Sequence, residues 1–409
     1  MGAPAARATE LTRHWANAGH DVTVLTGFPN HPTGVVPPEY RRKFRRMVVR
    51  ERIAGVNVVR TWLLPLPNRK AHERMLNYSS FCASAAGTGL FLSRPDVVIA
   101  SSPQLLVGLS GWWLAQWKRV PFVFEVRDLW PESLAAVGMG EDKSMLHRAL
   151  AKIAGFLYRR SDRIVVVTAA FEDYLVNHWA VPRQKISVVE NGVETDLFTP
   201  QPAADLRKEL GGEDKVMVSY IGTMGMAHGL ETVIEAAARL RESHPEIMFL
   251  MLGEGADKDR IMAMAHERGL NNLRFVDQQR REKIPAYIGA SDVCLVLLKK
   301  TDLFKTVLPS KMLEFMSCAR PVILGVDGQA RTILEEARGG IPIDPENSED
   351  LANAICYLAA NRDRGRALGE NGRDYIVRKF SRRQTADKYI SILERMLNLP
   401  ESRPTEIAA

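Results

Sequence analysis

A chain of 409 residues, 46% hydrophobic and 25% charged, is long enough for two domains with separate cores, and its composition is that of a globular protein. Its four cysteines, Cys82, Cys294, Cys318 and Cys356, have no paired spacing, which argues against a disulfide framework or a thiolate metal site. The net charge of +7 suits an anionic ligand or surface, and the longest apolar runs, near 81–92 and 105–117, fall short of the roughly 20 residues of a membrane span.

Met1-Gly2-Ala3-Pro4 reads as a turn leading from a strand into a helix, with Pro4 near the first helical position, yet no strand precedes it. That helix ends at Gly19-His20, and 21–26 (DVTVLT) is a strand. Further strands are expected at 56–60, 96–101, 122–126, 163–168 and 186–189, with helices near 72–93, 104–118, 142–160 and 169–178. Residues 189–202 (VENGVETDLFTPQP) hold Asn-Gly and two prolines and read as a linker. The alternation restarts with strands at 216–221, 247–252, 273–276, 292–298, 321–324 and 341–343, and helices at 229–243, 256–268, 309–318 and 329–337. Residues 348–397 read as helices only. Short apolar strands between helices indicate parallel sheets covered on both faces. The expected fold is α/β: Rossmann-like domains at 1–188 and 203–380, facing a cleft, and a C-terminal helix and tail, 381–409, able to pack back on the first domain. Ligands of such sheets sit at strand carboxyl ends and helix N-termini.

One stretch of the second domain, TDLFKTVLPSKMLEFMSCARPVI (301–323), carries most of the chemistry. Pro309 can open a helix, placing Ser310 in its first turn. Lys311 and Glu314, three apart, share a face. The helix N-terminus with Lys311, helped by Lys305, could hold a diphosphate, and Glu314 could accept hydrogen bonds from ribose hydroxyls. The same spacing also suits an exposed Lys–Glu pair on an amphipathic helix. In YIGTMGMAHGLETVIEAA (220–237), a strand ends at Gly222 and Gly229 opens a helix, so phosphate could approach the backbone. A tight turn reads the same way. Gly253 and Glu254 belong to a second glycine loop after a strand, MLGEGADKDRI (251–261). Backbone groups at Phe275, Val276 and Asp277 could read a base edge.

In this order these stretches resemble the family-4 glycosyltransferases, which have the GT-B fold of two facing Rossmann domains. GHDVTVLT, NGVETDLF and SKMLEFMSCARPVI extend the resemblance over nearly the whole chain. GAPAAR, TGFPNHPTG, VRDLWPES and LPSKMLEFM resemble the branch of WbuB-type N-acetyl-L-fucosamine transferases of bacterial surface-polysaccharide assembly. Two departures stand out. The family commonly has two Glu seven positions apart; Glu314 matches the second, and Thr306 occupies the first. It also commonly has an Arg and a Lys where this chain has Thr223 and His228. The usual cationic clamp is therefore absent, and a neutral His228 would offer one donated hydrogen bond. The resemblance also implies a strand before MGAPAAR, in the middle of the first sheet. Met1 is accordingly expected to be an internal methionine, with that first strand missing from this sequence.

In the first domain, PFVFEVRDLWPESL (121–134) runs from a strand into a loop. Arg127 takes the place of a His found in many relatives, and Asp128 is the candidate base. Glu125 sits in an apolar strand without an evident partner; Arg127 is the candidate, which would make the two a structural pair. Gly2, His31, Arg127 and Asp128 are expected on the acceptor side. Residues 40–52 (YRRKFRRMVVRER) read as a solvated loop or helix face, or as a surface for anionic lipid or a polyprenyl diphosphate. No nucleic-acid module accompanies them. The expectation is a retaining, metal-independent glycosyltransferase with no cofactor, using a UDP-sugar and a polyprenyl-diphosphate-linked acceptor. It would lie in the cytoplasm, peripheral on the inner face of the cell membrane. A GT-B nucleotide-sugar 2-epimerase and a non-catalytic assembly partner remain alternatives.

Overall fold

The computed structural model describes residues 3–30, 34–66, 71–132 and 145–399. They form two compact units: residues up to 190 join those from 385 onward in the first, and 191–384 make the second.

The first unit runs α1 (Ala3–Asn17), β1 (Thr23–Gly27), α2 (Pro38–Phe44), β2 (Val48–Ile53), β3 (Val56–Thr61), α3 (Ala71–Leu90), β4 (Val98–Ser101), α4 (Val107–Lys118), β5 (Phe122–Val126), α5 (Met145–Arg160), β6 (Arg163–Val166), α6 (Ala169–Trp179) and β7 (Ile186–Val188). Strands β4-β5-β6-β7 form a parallel sheet, and β1-β3-β2 a second sheet whose β2 is antiparallel. Every residue of β5 is buried, as a strand covered on both faces requires. Segment 40–52 is neither one loop nor one helix face. It divides into the end of α2 and most of β2, where Glu51 pairs with Arg60 and Lys43.

Glu125 on β5 finds its partner in α1, not in its own strand. Arg7 donates to Glu125 Oε1 through Nε at 3.1 Å and Nη2 at 2.9 Å. It also donates to the Glu190 carbonyl at 2.8 Å and the Val189 carbonyl at 3.0 Å, and Ser101 donates to the other carboxylate oxygen. Burial pushes the Glu125 pKa up. The charges of Arg7 and Arg127 and the Ser101 bond outweigh it and hold the carboxyl below its ordinary value.

The second unit runs α7 (Ala204–Glu209), β8 (Val216–Ile221), α8 (Glu231–Ser243), β9 (Ile247–Leu252), α9 (Lys258–Glu267), β10 (Leu273–Val276), α10 (Ile284–Ala290), β11 (Val293–Leu297), α11 (Ser310–Ser317), β12 (Val322–Gly325), α12 (Gln329–Ala337), β13 (Gly340–Pro342), α13 (Ser348–Ala360) and α14 (Arg362–Lys379). Its strands make one parallel sheet ordered β10-β9-β8-β11-β12-β13. Helix α8 buries Val233, Ile234, Ala236, Ala237 and Leu240, the spacing of one apolar helical face. The segment read as a linker packs into this unit from residue 191. Phe198 is buried beside Leu308 and Met312, and Val193 bridges to Ser381.

Helix α15 (Arg382–Leu397) carries the chain back to the first unit. Trp15 donates its indole N–H to the Ala386 carbonyl at 3.1 Å. Its ring meets Tyr389 edge-on at 5.1 Å, and Leu11, Val123, Val165 and Val189 close around Ile392 and Leu393.

Candidate active site

Strand β8 has β9 on one side and β11 on the other. The sheet order reverses there, and open α/β sheets bind ligands at the carboxyl ends of the strands around such a reversal. The loops after β8 and β11 meet at that point. Lys299 N–H donates to the Ala227 carbonyl at 2.9 Å, and His228 Nδ1 lies 3.2 Å from the Leu297 carbonyl.

Lys311, in the first turn of α11, reaches over the β8 loop. Its Nζ donates to Tyr220 Oη at 2.9 Å and stands 4.2 Å from the ring centroid. Tyr220 Oη donates onward to the Thr223 carbonyl at 2.6 Å. A Cβ added at Gly222 would lie 3.6 Å from Lys311 Nζ, so lysine and glycine loop border one space. Burial drives the Lys311 pKa down to about 7, against the opposing pull of Glu314. Helix α11 begins at Ser310 after Pro309 with no capping side chain. The Met312 N–H turns back to the Pro309 carbonyl at 3.0 Å, and the N–H groups of Ser310 and Lys311 lie at the positive end of the helix, where an anion is favoured.

His228 corrects an expectation. A carbonyl only accepts, so Nδ1 carries the proton and donates to Leu297, and Nε2 presents a lone pair. Burial first, and then the Lys311 charge, lower its pKa to about 3 against the opposing pull of the Leu297 bond. The one hydrogen bond of the neutral ring therefore goes into the fold, not to a diphosphate.

Gly253 adopts φ +150°, and a Cβ there would sit 1.9 Å from the Gly222 carbonyl oxygen. Only glycine lets the two loops lie this close. Gly253 N–H donates to the Val276 carbonyl at 3.1 Å, and Met224 N–H to the Glu254 carbonyl at 2.9 Å. Glu254 and Asp277 both accept from Lys258 Nζ at 2.6 Å, so the carboxylates at the ends of β9 and β10 share one cation. Phe275 and Val276 are the last two residues of β10.

Glu314 accepts from Arg281 at 3.0 Å, whose guanidinium lies 4.9 Å from the Phe198 ring centroid. Lys305 is not drawn into the Lys311 group. It is half exposed and paired with Asp302 at 2.7 Å. In the first unit Arg127 and Asp128 follow β5, and Arg127 N–H donates to Ser102 Oγ at 2.8 Å. Gly2 and His31 lie outside the described residues. Among the described residues no group of three or more His, Cys, Asp or Glu could hold a metal ion. The sequence reading missed Tyr220, Arg281 and Lys258. Tyr220 carried a usable signal, a polar-tipped ring near the end of an apolar strand. Lys258 had its i,i+4 spacing to Glu254. Arg281 stood in a run of charges with none.

Residues 2–192 match the family described as "Glycosyl transferase 4-like domain" and residues 203–375 the family "Glycosyl transferases group 1". WcaI of Escherichia coli (strain K12), a glycosyl transferase named for colanic acid biosynthesis, is 27% identical over 85% of this chain and 86% of its own length. Sucrose-phosphate synthase (tll1590) from Thermosynechococcus elongatus has a similar structure, with a TM-score of 0.77 at 21% identity over 97% of this chain and 94% of that one. Anabaena Alr3699/HepE, solved with UDP-glucose, gives a TM-score of 0.70 at 15% identity over 92% of this chain and 100% of that one. The chain is a family-4 glycosyltransferase of the GT-B fold, a glycosyl transferase 4-like domain followed by a glycosyl transferases group 1 domain.

Proposed function

We propose that this glycosyltransferase takes a UDP-linked N-acetylated hexosamine or deoxyhexosamine and transfers the sugar, with retention, to a polyprenyl-diphosphate-linked saccharide. The setting is bacterial surface-polysaccharide assembly of the WbuB type, O-antigen or capsule, at the inner face of the cell membrane. The observation that carries the donor reading is Lys311, held by Tyr220 over Gly222 at the sheet reversal. As the bond to the diphosphate breaks, negative charge grows on the leaving group, and Lys311 with the α11 N-terminus stabilises it. Glu314, oriented by Arg281, takes the ribose hydroxyls. The leaving phosphate oxygen can accept the acceptor proton, which leaves Asp128 as an optional base. Neither cofactor nor metal enters this scheme. The experiment is a panel of UDP-sugars incubated with membrane-extracted lipid-linked sugars and read by mass spectrometry. A sugar–lipid product supports the reading. A changed sugar nucleotide in the absence of acceptor would mean an epimerase.

Two further outcomes test the site. A bound diphosphate favours charged Lys311, whose pKa before binding is about 7. UDP affinity should be level below that pH and fall above it by up to about tenfold per unit, with proton uptake seen by calorimetry in buffers of different ionisation enthalpy. Lys311→Arg, always charged, should flatten the profile. A slope that survives in Lys311→Arg would place the titrating group elsewhere. His228 Nε2, as an acceptor, suits a hydroxyl of the donor sugar. His228→Ala should weaken UDP-sugar binding by about 1 kcal/mol and leave UDP binding unchanged. An equal loss for both ligands would show that His228 contacts the phosphates.

A further inference from the structure

Helix α3 has an unusual solvent face. From Leu76 onward its exposed positions are Leu76, Ser79, Ala83 and Gly87, and Phe91 follows directly after the helix; none of them is ionisable. The exposed face of a surface helix ordinarily carries charges, yet residues 75–92 contain no Asp, Glu, Lys or Arg. Helix α4 packs alongside and turns Trp113 and Trp117 outward, stacked at 6.2 Å. Phe91 is 84% exposed and Trp117 62%. Between the helices runs a groove of about 320 Å³, lined by Cys82, Ala83, Ala86, Leu109 and Trp113 among others.

The corner where the helices end is clamped. Lys118 Nζ donates to the Leu90 carbonyl at 2.8 Å and the Leu92 carbonyl at 2.5 Å. Arg94 donates to the Lys118 and Arg119 carbonyls at 3.0 and 3.1 Å. Phe91 is thereby fixed beside the last turn of α4, with Arg94 and Arg119 exposed next to it. On the other flank of α3, Arg50 and Val48 of β2 line a second groove that Phe91 closes.

We propose that this charge-free face of α3 and α4 lies on an anionic lipid bilayer. Phe91, Trp113 and Trp117 enter the boundary between headgroups and acyl chains, and Arg50, Arg94 and Arg119 meet the lipid phosphates. Aromatic side chains with a basic rim are the chemistry of interfacial attachment, and no described helix is long and apolar enough to cross a membrane. The inference rests on the reading of a lipid-linked acceptor, which requires the enzyme to work at a lipid surface. It also moves the main contact from 40–52 to the two helices, leaving the exposed arginines of 40–52 at the rim.

The test is flotation of the full chain with vesicles of phosphatidylcholine, alone or mixed with phosphatidylglycerol. Binding is expected to the mixed vesicles, with a blue shift of tryptophan emission. The triple variant Phe91→Ser, Trp113→Ser, Trp117→Ser changes exposed side chains and should keep the parent's melting temperature. It should lose vesicle affinity by about tenfold or more. Arg50→Gln with Arg119→Gln should weaken binding to the mixed vesicles and reduce its salt dependence. Undiminished binding by the triple variant overturns the proposal. So does a parent dimer, without vesicles, that the triple variant disperses, since the face would then belong to a second copy. Transfer to a water-soluble acceptor analogue separates the two readings. If membrane-extracted lipid-linked sugars give no product with any UDP-sugar while the soluble analogue is glycosylated and vesicle binding is intact, the lipid-linked-acceptor reading falls and the surface stands.

Discussion

Arg7→Ala is expected to destabilise the first unit by about 3–5 kcal/mol, the range for removing one partner of a buried ion pair. Against total stabilities of about 5–15 kcal/mol, that is a large share. Arg7 is 1% exposed and joins three separate parts of the chain: α1, the carboxylate on β5, and the carbonyls of Val189 and Glu190. Its removal leaves a buried carboxylate and two carbonyls without those donors. The measurement has a convenient probe, because all seven tryptophans lie at or before residue 179. Denaturant unfolding followed by tryptophan emission therefore reports the first unit, while circular dichroism reports both. Arg7→Met combined with Glu125→Met should recover much of the loss, since an apolar pair of similar volume replaces a buried ion pair at little cost. The sign with pH follows from the lowered Glu125 pKa. Its contribution is complete above the unfolded carboxylate pKa and disappears as pH falls through the folded value. A tryptophan transition that Arg7→Ala leaves in place would mean that the pair contributes little to stability.

Lys311→Ala should lower turnover by about 100- to 1,000-fold, the range for losing one preorganised donor to a developing negative charge. The substituted side chain is a desolvated cation whose pKa has fallen to about 7, so the fold gives up little when it goes. The loss should appear mainly in kcat and less in UDP affinity, because the diphosphate charge is largest in the transition state. Lys305→Ala, at an exposed residue already paired with Asp302, should change turnover by no more than about threefold, since an exposed, paired charge is screened by solvent. Equal effects of the two substitutions would mean that the diphosphate is held by the loop before α11 and not by the helix.

The strands that position the site were legible because they are short, continuous and apolar: VMVSYI became β8 and VCLVL became β11. LPSKMLEF opened a helix where its proline and polar loop placed it. Other features were illegible for physical reasons. In VVRERI the alternation of an edge strand is hidden by arginines, whose charge reads as solvent-facing. Glu125 advertised a need for a partner, but the partner lies 118 residues away, and spacing says nothing about such contacts. The segment at 189–202 has linker composition, yet Phe198 is buried; two prolines do not outweigh one well-seated ring. At His228 the residue type was readable and its protonated nitrogen was not, since the tautomer is set by the Leu297 carbonyl on a different strand.

Helix α15 has a consequence for how the protein is made. Trp15, Val123, Val165 and Val189 surround Tyr389 and Leu393, so the first unit's core has a wall that leaves the ribosome only after the whole second unit. Domains generally fold in order of emergence during synthesis. Here the earlier unit waits through translation of the whole later one, at about 5–20 residues per second, with an apolar trough open on one side. The later unit, 191–384, is continuous in sequence and need not wait. Nascent chains arrested before residue 385 should therefore hold a folded second unit and a protease-sensitive first one, the reverse of the order in which they were translated.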